Sequence, residues 1–307
     1  MFCSTIIATV GRASLARTVE SVLSQQLSPE DHEVIVVNDS GKPLALPSWA
    51  DDPRVRMIVT MQHERCFARN TGAATARGEY LHFLDDDDWL AAGALQALRD
   101  LACRNPAAGF LNGATQLVDR QDQPIILLRS DFAGNCSVQT MAGEWIPLQS
   151  SLVAAPLFFA IGGFNVHIPS SEDIDLLRRL TLVADVASTE AVVAFVGMGV
   201  DNSTTDHANR DKLARIGREQ ALNTDGAFAR MRAAATSPVW KGRLARIYIT
   251  SAVWNARQGN WNACIGRSAT ALAAAGTAGS ALFHADFYRA LRSRYESGTF
   301  ARGFAEA

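Results

Sequence analysis

The stretch EYLHFLDDDDWL, residues 79–90, decides the fold. An apolar run containing Leu81, Phe83 and Leu84 passes without a break into four carboxylates, Asp85, Asp86, Asp87 and Asp88. Four adjacent anions repel one another, so a positive charge has to stand among them. A hard divalent cation with oxygen ligands is the natural partner, and such a cation keeps open positions for substrate phosphates. If the backbone stays extended through the acids, Asp85 and Asp87 face one side and Asp86 and Asp88 the other. Strands that end in chemistry belong to open α/β sheets, which bind ligands beyond the carboxyl ends of their strands. The plain alternative is the acidic first turn of a solvated helix.

The flanking sequence carries the same rhythm. Residues 4–10, STIIATV, form a β-branched run closed by Gly11 and Arg12. Residues 13–26 space Leu15, Val19, Val22 and Leu23 as one helical face. EVIVVND, residues 33–39, is continuously apolar and ends at Asp39, as suits a strand buried on both faces of a parallel sheet. A strand at 55–60 and helices at 66–76 and 91–104 complete a βαβαβ series. The series predicts an α/β fold with an open, mostly parallel sheet flanked by helices. Residues 110–129 read as a hairpin, 172–183 as a helix and 191–200 as a strand. The rest is helical, with an αα-hairpin of residues 240–256 and 262–274 broken at Gly259. The expected organisation is an α/β catalytic domain over 1–207 and a helical C-terminal subdomain over 208–307.

Composition excludes several classes. The chain has 307 residues, 48% of them apolar, which is ample for a core without staples. Twenty-nine Lys and Arg against 31 Asp and Glu give a net charge of −2, which argues against a nucleic-acid binder. The charge is split. Residues 1–207 hold 14 basic and 25 acidic side chains, and residues 208–307 hold 15 and 6. The basic segment points to an anionic acceptor, peripheral contact with an anionic membrane surface, or the acidic half of a partner subunit, and a homodimer through the C-terminal helices is a further expectation. Cys3, Cys66, Cys103, Cys136 and Cys264 form no CxxC pair, so free thiols in a reducing cytoplasm are expected. The first residues read as a strand rather than a signal peptide, and no window is apolar enough to span a bilayer. The expected location is cytoplasmic, with the inner membrane face as a peripheral option.

Three further segments place polar groups where chemistry is plausible. Asp39 and Ser40 end the second strand, with an Asp/Ser turn as the plain alternative. Arg69 and Asn70 stand at a helix start, where an arginine and free amides bind anions; a surface Arg and an N-cap Asn is the plain alternative. Glu172 and Asp173 open the helix after GGFN, either as a general base facing a pocket or as part of a Ser170–Asp173 capping box.

In that order, STIIATVGR, EVIVVNDS, ARNTGAA, FLDDDDWL and GGFN…SSEDIDLLRRL resemble the family 2 glycosyltransferases of the GT-A fold, over residues 4–180. The resemblance implies a Rossmann-like GT-A domain. It implies an inverting transferase that uses a nucleotide-diphospho sugar, usually a UDP-sugar, with Mn²⁺ or Mg²⁺, and passes one sugar to a hydroxyl acceptor. By the same resemblance Thr9, Arg12, Asp39 and Arg69 line the nucleotide site and Asp85 and Asp86 belong to the DxD stretch. Asp87 with Asp85 holds the metal, Asp173 is the catalytic base, and Glu172 supports it or meets the acceptor. His207 is the nearest match to a late histidine ligand. This chain departs from the family in having Val10-Gly11-Arg12 where an aromatic usually follows the first strand, which weakens a uracil preference. It also lacks a QxxRW motif, which favours single transfer over a processive synthase. The competing hypotheses are a haloacid-dehalogenase-like phosphatase, a nucleotidyltransferase, and a nucleotide-sugar binder without turnover.

Overall fold

A computed structural model describes residues 1–44, 48–61, 63–198 and 207–292. The strands are β1 (Cys3–Thr9), β2 (His32–Asn38), β3 (Val55–Val59), β4 (Tyr80–Phe83), β5 (Trp89–Leu90), β6 (Phe110–Val118), β7 (Pro124–Leu128), β8 (Ser151–Ala154) and β9 (Val186–Gly197). They form one sheet in the order β3-β2-β1-β4-β8-β6-β9-β5, with β7 paired to β6. The expected parallel run is β3-β2-β1-β4, and β6 and β9 are also parallel. β8 enters antiparallel between β4 and β6, which makes the sheet mixed in its second half.

The helices that flank it are α1 (Leu15–Leu23), α2 (Arg65–Thr75), α3 (Ala94–Arg104), α4 (Ser137–Ala142), α5 (Ala155–Ala160) and α6 (Glu172–Thr181). The alternation of β1 and β2 explains their apolar continuity. Cys3, Ile7, Val34 and Val36 pack with Leu15 and Val19 of α1 and Leu95 and Leu98 of α3. Ile6, Ile35 and Val37 pack on the other face with Ala68 and Ala73 of α2 and Leu176 of α6. Both faces are therefore buried, which explains the consecutive apolar residues Ile6–Ile7 of β1 and Val34–Val37 of β2. Gly72 lets α2 lie this close, because a Cβ there would meet Ile6 Cγ2 at 2.5 Å.

The expected helix at 66–76 begins at Arg65, and its cap is Glu64, whose carboxylate accepts from the amides of Cys66 and Phe67. Asn70 is thus no N-cap. It sits inside α2 and clamps the GGF loop, donating to the Phe164 carbonyl at 2.8 Å and accepting from its amide at 2.9 Å. Gly163, at φ 67°, has to be glycine there, since a Cβ would stand 2.7 Å from Asn70 Oδ1.

The C-terminal part is helical: α7 (His207–Leu222), α8 (Ala227–Ala234), α9 (Pro238–Arg257), α10 (Trp261–Gly276) and α11 (Ala285–Arg292). The αα-hairpin is α9 and α10, turned at Gly259 with φ 75°. Leu244, Ile247 and Tyr248 of α9 face its core, where they meet Val138 and Met141 of α4. The expected domain boundary at 207 adjoins residues 199–206, which lie outside the described residues. Among the described residues no helix is long and apolar enough to cross a membrane.

Candidate active site

The carboxyl ends of β1, β2 and β4 open into a cleft of about 590 Å³. Its walls include Thr9, Arg12, Asp39, Arg69, Asp85, Asp86, Asp87, Asp88, Glu172 and Asp173. The structure therefore brings together every site residue expected from sequence except His207. That residue opens α7, but its side chain lies outside the described residues.

The four acids do not stay extended. The Asp88 amide donates to the Asp85 carbonyl at 3.2 Å, closing a turn, and the chain then enters β5. The expected two-and-two alternation fails for that reason. Oxygens of Asp85, Asp87 and Asp88 lie within 4.8 Å of one another. Asp86 turns away and is buried, accepting from Thr9 Oγ1 at 2.6 Å and from Arg12 Nη1 at 2.8 Å. Arg12 also reaches Asp87 at 3.0 Å. Asp88 is buried and accepts from the Gly197 amide of β9 at 3.1 Å.

Arg69, in the second turn of α2, is buried between two acids. It pairs with Asp85 and, at 3.0 Å, with Glu172. Arg65, one helical turn earlier, reaches the same Glu172 oxygen at 3.3 Å. Glu172 is thus tied to two arginines and holds Arg69 in place. Gln149 donates to the other Asp85 oxygen at 3.0 Å. Gln149 is itself held by His82 of β4, whose Nε2 lies 2.9 Å from its carbonyl, while Thr5 lies 3.1 Å from His82 Nδ1.

These contacts set the electrostatics. Burial pushes Asp85 up, but the ion pair with Arg69 outweighs it and the group ends below the usual carboxylate range. Burial, then the charges of Asp85 and Asp87, push Asp88 well up. Asp87 is raised by burial and by Asp85. Glu172 is raised by burial, against the pull of Arg69. The acidic cluster thus holds more negative charge than Arg12 and Arg69 neutralise. Three close carboxylates with surplus charge fit a hard divalent cation. Among the described residues no imidazole or thiol joins them.

Asp173 does not form the capping box. The N-cap is Ser171, without a side-chain cap bond, and Ser171 Oγ donates to Ser170 O instead. Asp173 Oδ1 accepts from the Ile174 amide at 2.8 Å and Oδ2 from Trp145 Nε1 at 3.0 Å. Asp39 is buried, accepts from Thr60 Oγ1 at 2.7 Å and shares the rim with Thr9, whose carbonyl takes the Asp39 amide. Sequence reasoning missed Trp145, Gln149 and Arg65. The first two lie in or beside a short 3₁₀ turn with no periodicity, and only their polar tips amid apolar neighbours hinted at a role.

Residues 4–126 match the sequence profile of glycosyl transferase family 2. The uncharacterised glycosyltransferase EpsJ of Bacillus subtilis is 38% identical over 92 residues, which are 28% of this chain and 26% of EpsJ. The poly(ribitol-phosphate) β-N-acetylglucosaminyltransferase TarP of Staphylococcus aureus is 32% identical over 96 residues, 30% of this chain and 29% of TarP. The chain thus spans little more than a quarter of these two relatives. The crystal structure of S. aureus TarS in complex with UDP-GlcNAc superposes with a TM-score of 0.58 at 13% identity, covering 88% of this chain and 91% of that one. The architecture is accordingly the GT-A fold. The family match over residues 4–126 and the glycosyltransferase relatives support a family 2 glycosyltransferase, an enzyme, over the phosphatase and nucleotidyltransferase hypotheses.

Proposed function

We propose that the protein is an inverting, metal-dependent glycosyltransferase that moves one sugar from a UDP-sugar to an acceptor hydroxyl. The observation that carries this is the single cleft. It joins the nucleotide-side residues Thr9 and Asp39, the carboxylates Asp85, Asp87 and Asp88, and Asp173, with Arg69 bridging Asp85 to the neighbour of Asp173. UDP-GlcNAc bound to TarS supports a UDP-sugar donor, and the activity in the name of TarP supports transfer of a sugar.

Asp85, Asp87 and Asp88 would hold Mn²⁺ or Mg²⁺. When bound, the cation stabilises the charge that develops on the leaving diphosphate. Thr9, Arg12 and Asp39 fix the nucleotide end of the donor. Arg69, locked by Glu172, keeps Asp85 aimed into the cleft. Asp173 takes the proton of the acceptor hydroxyl. The freed oxygen attacks the anomeric carbon from the side opposite the nucleotide. The bond from that carbon to the diphosphate oxygen breaks, its electron pair leaves with UDP, and the configuration inverts. The transition state is oxocarbenium-like, as in glycoside hydrolysis.

Calorimetric titration of UDP with and without Mn²⁺, followed by UDP release from a panel of UDP- and dTDP-sugars starting with UDP-GlcNAc, tests this. UDP binding should need the metal and weaken in Asp87→Asn. Asp173→Asn should bind UDP as the native protein does while transfer falls about 10²- to 10⁴-fold. Metal-independent binding, or normal transfer by Asp173→Asn, overturns the assignment.

A further inference from the structure

The outer face of α10 is apolar and uncovered. Trp261, Ile265 and Leu272 stand 64%, 68% and 75% exposed. Spacings of four and seven residues place them along one line of the helix. Beyond α10, Phe283 is 92% exposed. From 261 to 284 the one charged residue is Arg267. It is turned inward, with its side chain 13% exposed, and donates to the Leu222 carbonyl and to Asn223. The opposite side of α10 is already spent on the core, through Ala271 and Ala274. Isolated apolar residues on a surface need no explanation, but a helix face of Trp, Ile and Leu with no charge among them marks an interaction site.

Cations bracket this face. Exposed Arg257 closes α9 four residues before Trp261, and exposed Arg292 and Arg289, the latter paired with Asp286 at 3.0 Å, follow Phe283 on α11. They belong to the segment with 15 basic and 6 acidic residues. That charge decides the occupant. A second copy of the chain would bring two such basic segments together, which like-charge repulsion opposes. An anionic bilayer satisfies both features, since the interfacial region takes up Trp, Ile, Leu and Phe while acidic headgroups meet the arginines.

We infer that α10 and Phe283 form a peripheral docking surface for an anionic membrane. The inference is independent of the chemistry assigned to the cleft. Sedimentation with vesicles of phosphatidylglycerol and phosphatidylcholine, against vesicles of phosphatidylcholine alone, tests it on the full chain. The native protein should partition to the anionic vesicles and be released by salt. A variant carrying Trp261→Ser, Ile265→Ser and Leu272→Ser should lose about tenfold or more in partition and keep its UDP affinity. Because all three side chains are exposed, circular dichroism should be unchanged. A second variant, Arg257→Gln with Arg289→Gln, should weaken binding to anionic vesicles alone. Equal sedimentation of native and triple-variant protein overturns the proposal. So does a native dimer that the triple variant dissolves without any vesicle binding by either protein.

Discussion

Arg69→Met removes the cation that Asp85 and Glu172 share, and its cost follows from the burial of the three groups. The Arg69 and Glu172 side chains are 9% and 7% exposed, whereas that of Asp85 is 36% exposed. Removing one partner of a buried ion pair costs about 3–5 kcal/mol, because a charge is left without compensation. Water screens Asp85, and Arg65 still reaches Glu172 at 3.3 Å, so the lower end applies. The expected loss is about 3 kcal/mol at about pH 8 without added metal. Its pH dependence has a definite sign. Glu172 is already raised by burial against the pull of Arg69, and without Arg69 it rises further, while Asp85 loses the pair that holds it down. A carboxylate whose folded pKa is raised destabilises the fold at high pH and ceases to do so once protonated. The gap between native and variant protein should therefore narrow from about pH 8 to about pH 5. Urea unfolding followed by tryptophan fluorescence measures it. Adding Glu172→Gln to Arg69→Met should restore a good part of the loss, since the two sites are in contact. A difference below about 1 kcal/mol at the higher pH, or a gap that widens on acidification, refutes the reasoning.

Two other perturbations test neighbouring contacts. His82 is buried, and burial lowers its pKa from 6.5 to about 4, so it is neutral in the fold. Its contribution is present above the unfolded value and fades as pH falls from 6.5 towards about 4. The drop is about 3 kcal/mol, and His82→Gln should flatten it in urea unfolding curves across that window; an unchanged slope counts against a neutral buried imidazole. Trp145→Phe keeps the ring but removes the donor to Asp173 Oδ2. Steady-state kinetics should show kcat lower by about tenfold with KM for the donor little changed, and a change confined to KM would assign the indole to substrate binding instead.

The sequence by itself determined the α/β succession. The apolar runs of β1 and β2 require burial on both faces, and the helical spacing of α1, α2 and α3 requires partners on either side of a sheet. It also placed Asp39, Asp85–Asp88 and Asp173 at the ends or starts of elements, where open sheets gather ligands. These signals are local, carried by residues within a few positions of one another. The turn that sends Asp86 to Thr9 and Arg12 while Asp88 joins Asp85 and Asp87 depends on a main-chain bond inside the acidic run. The sequence pattern suggested an extended chain there. Glu172 looked free for chemistry until α6 was set against α2, 103 residues away, where Arg69 takes it. Gln149 and Trp145 joined the site only because β8 enters antiparallel beside β4 and carries its preceding turn to the cleft. Such contacts join residues far apart in the chain and leave no period behind. Packing of the sheet decides them, because only the closed fold fixes which polar tips meet where water is excluded.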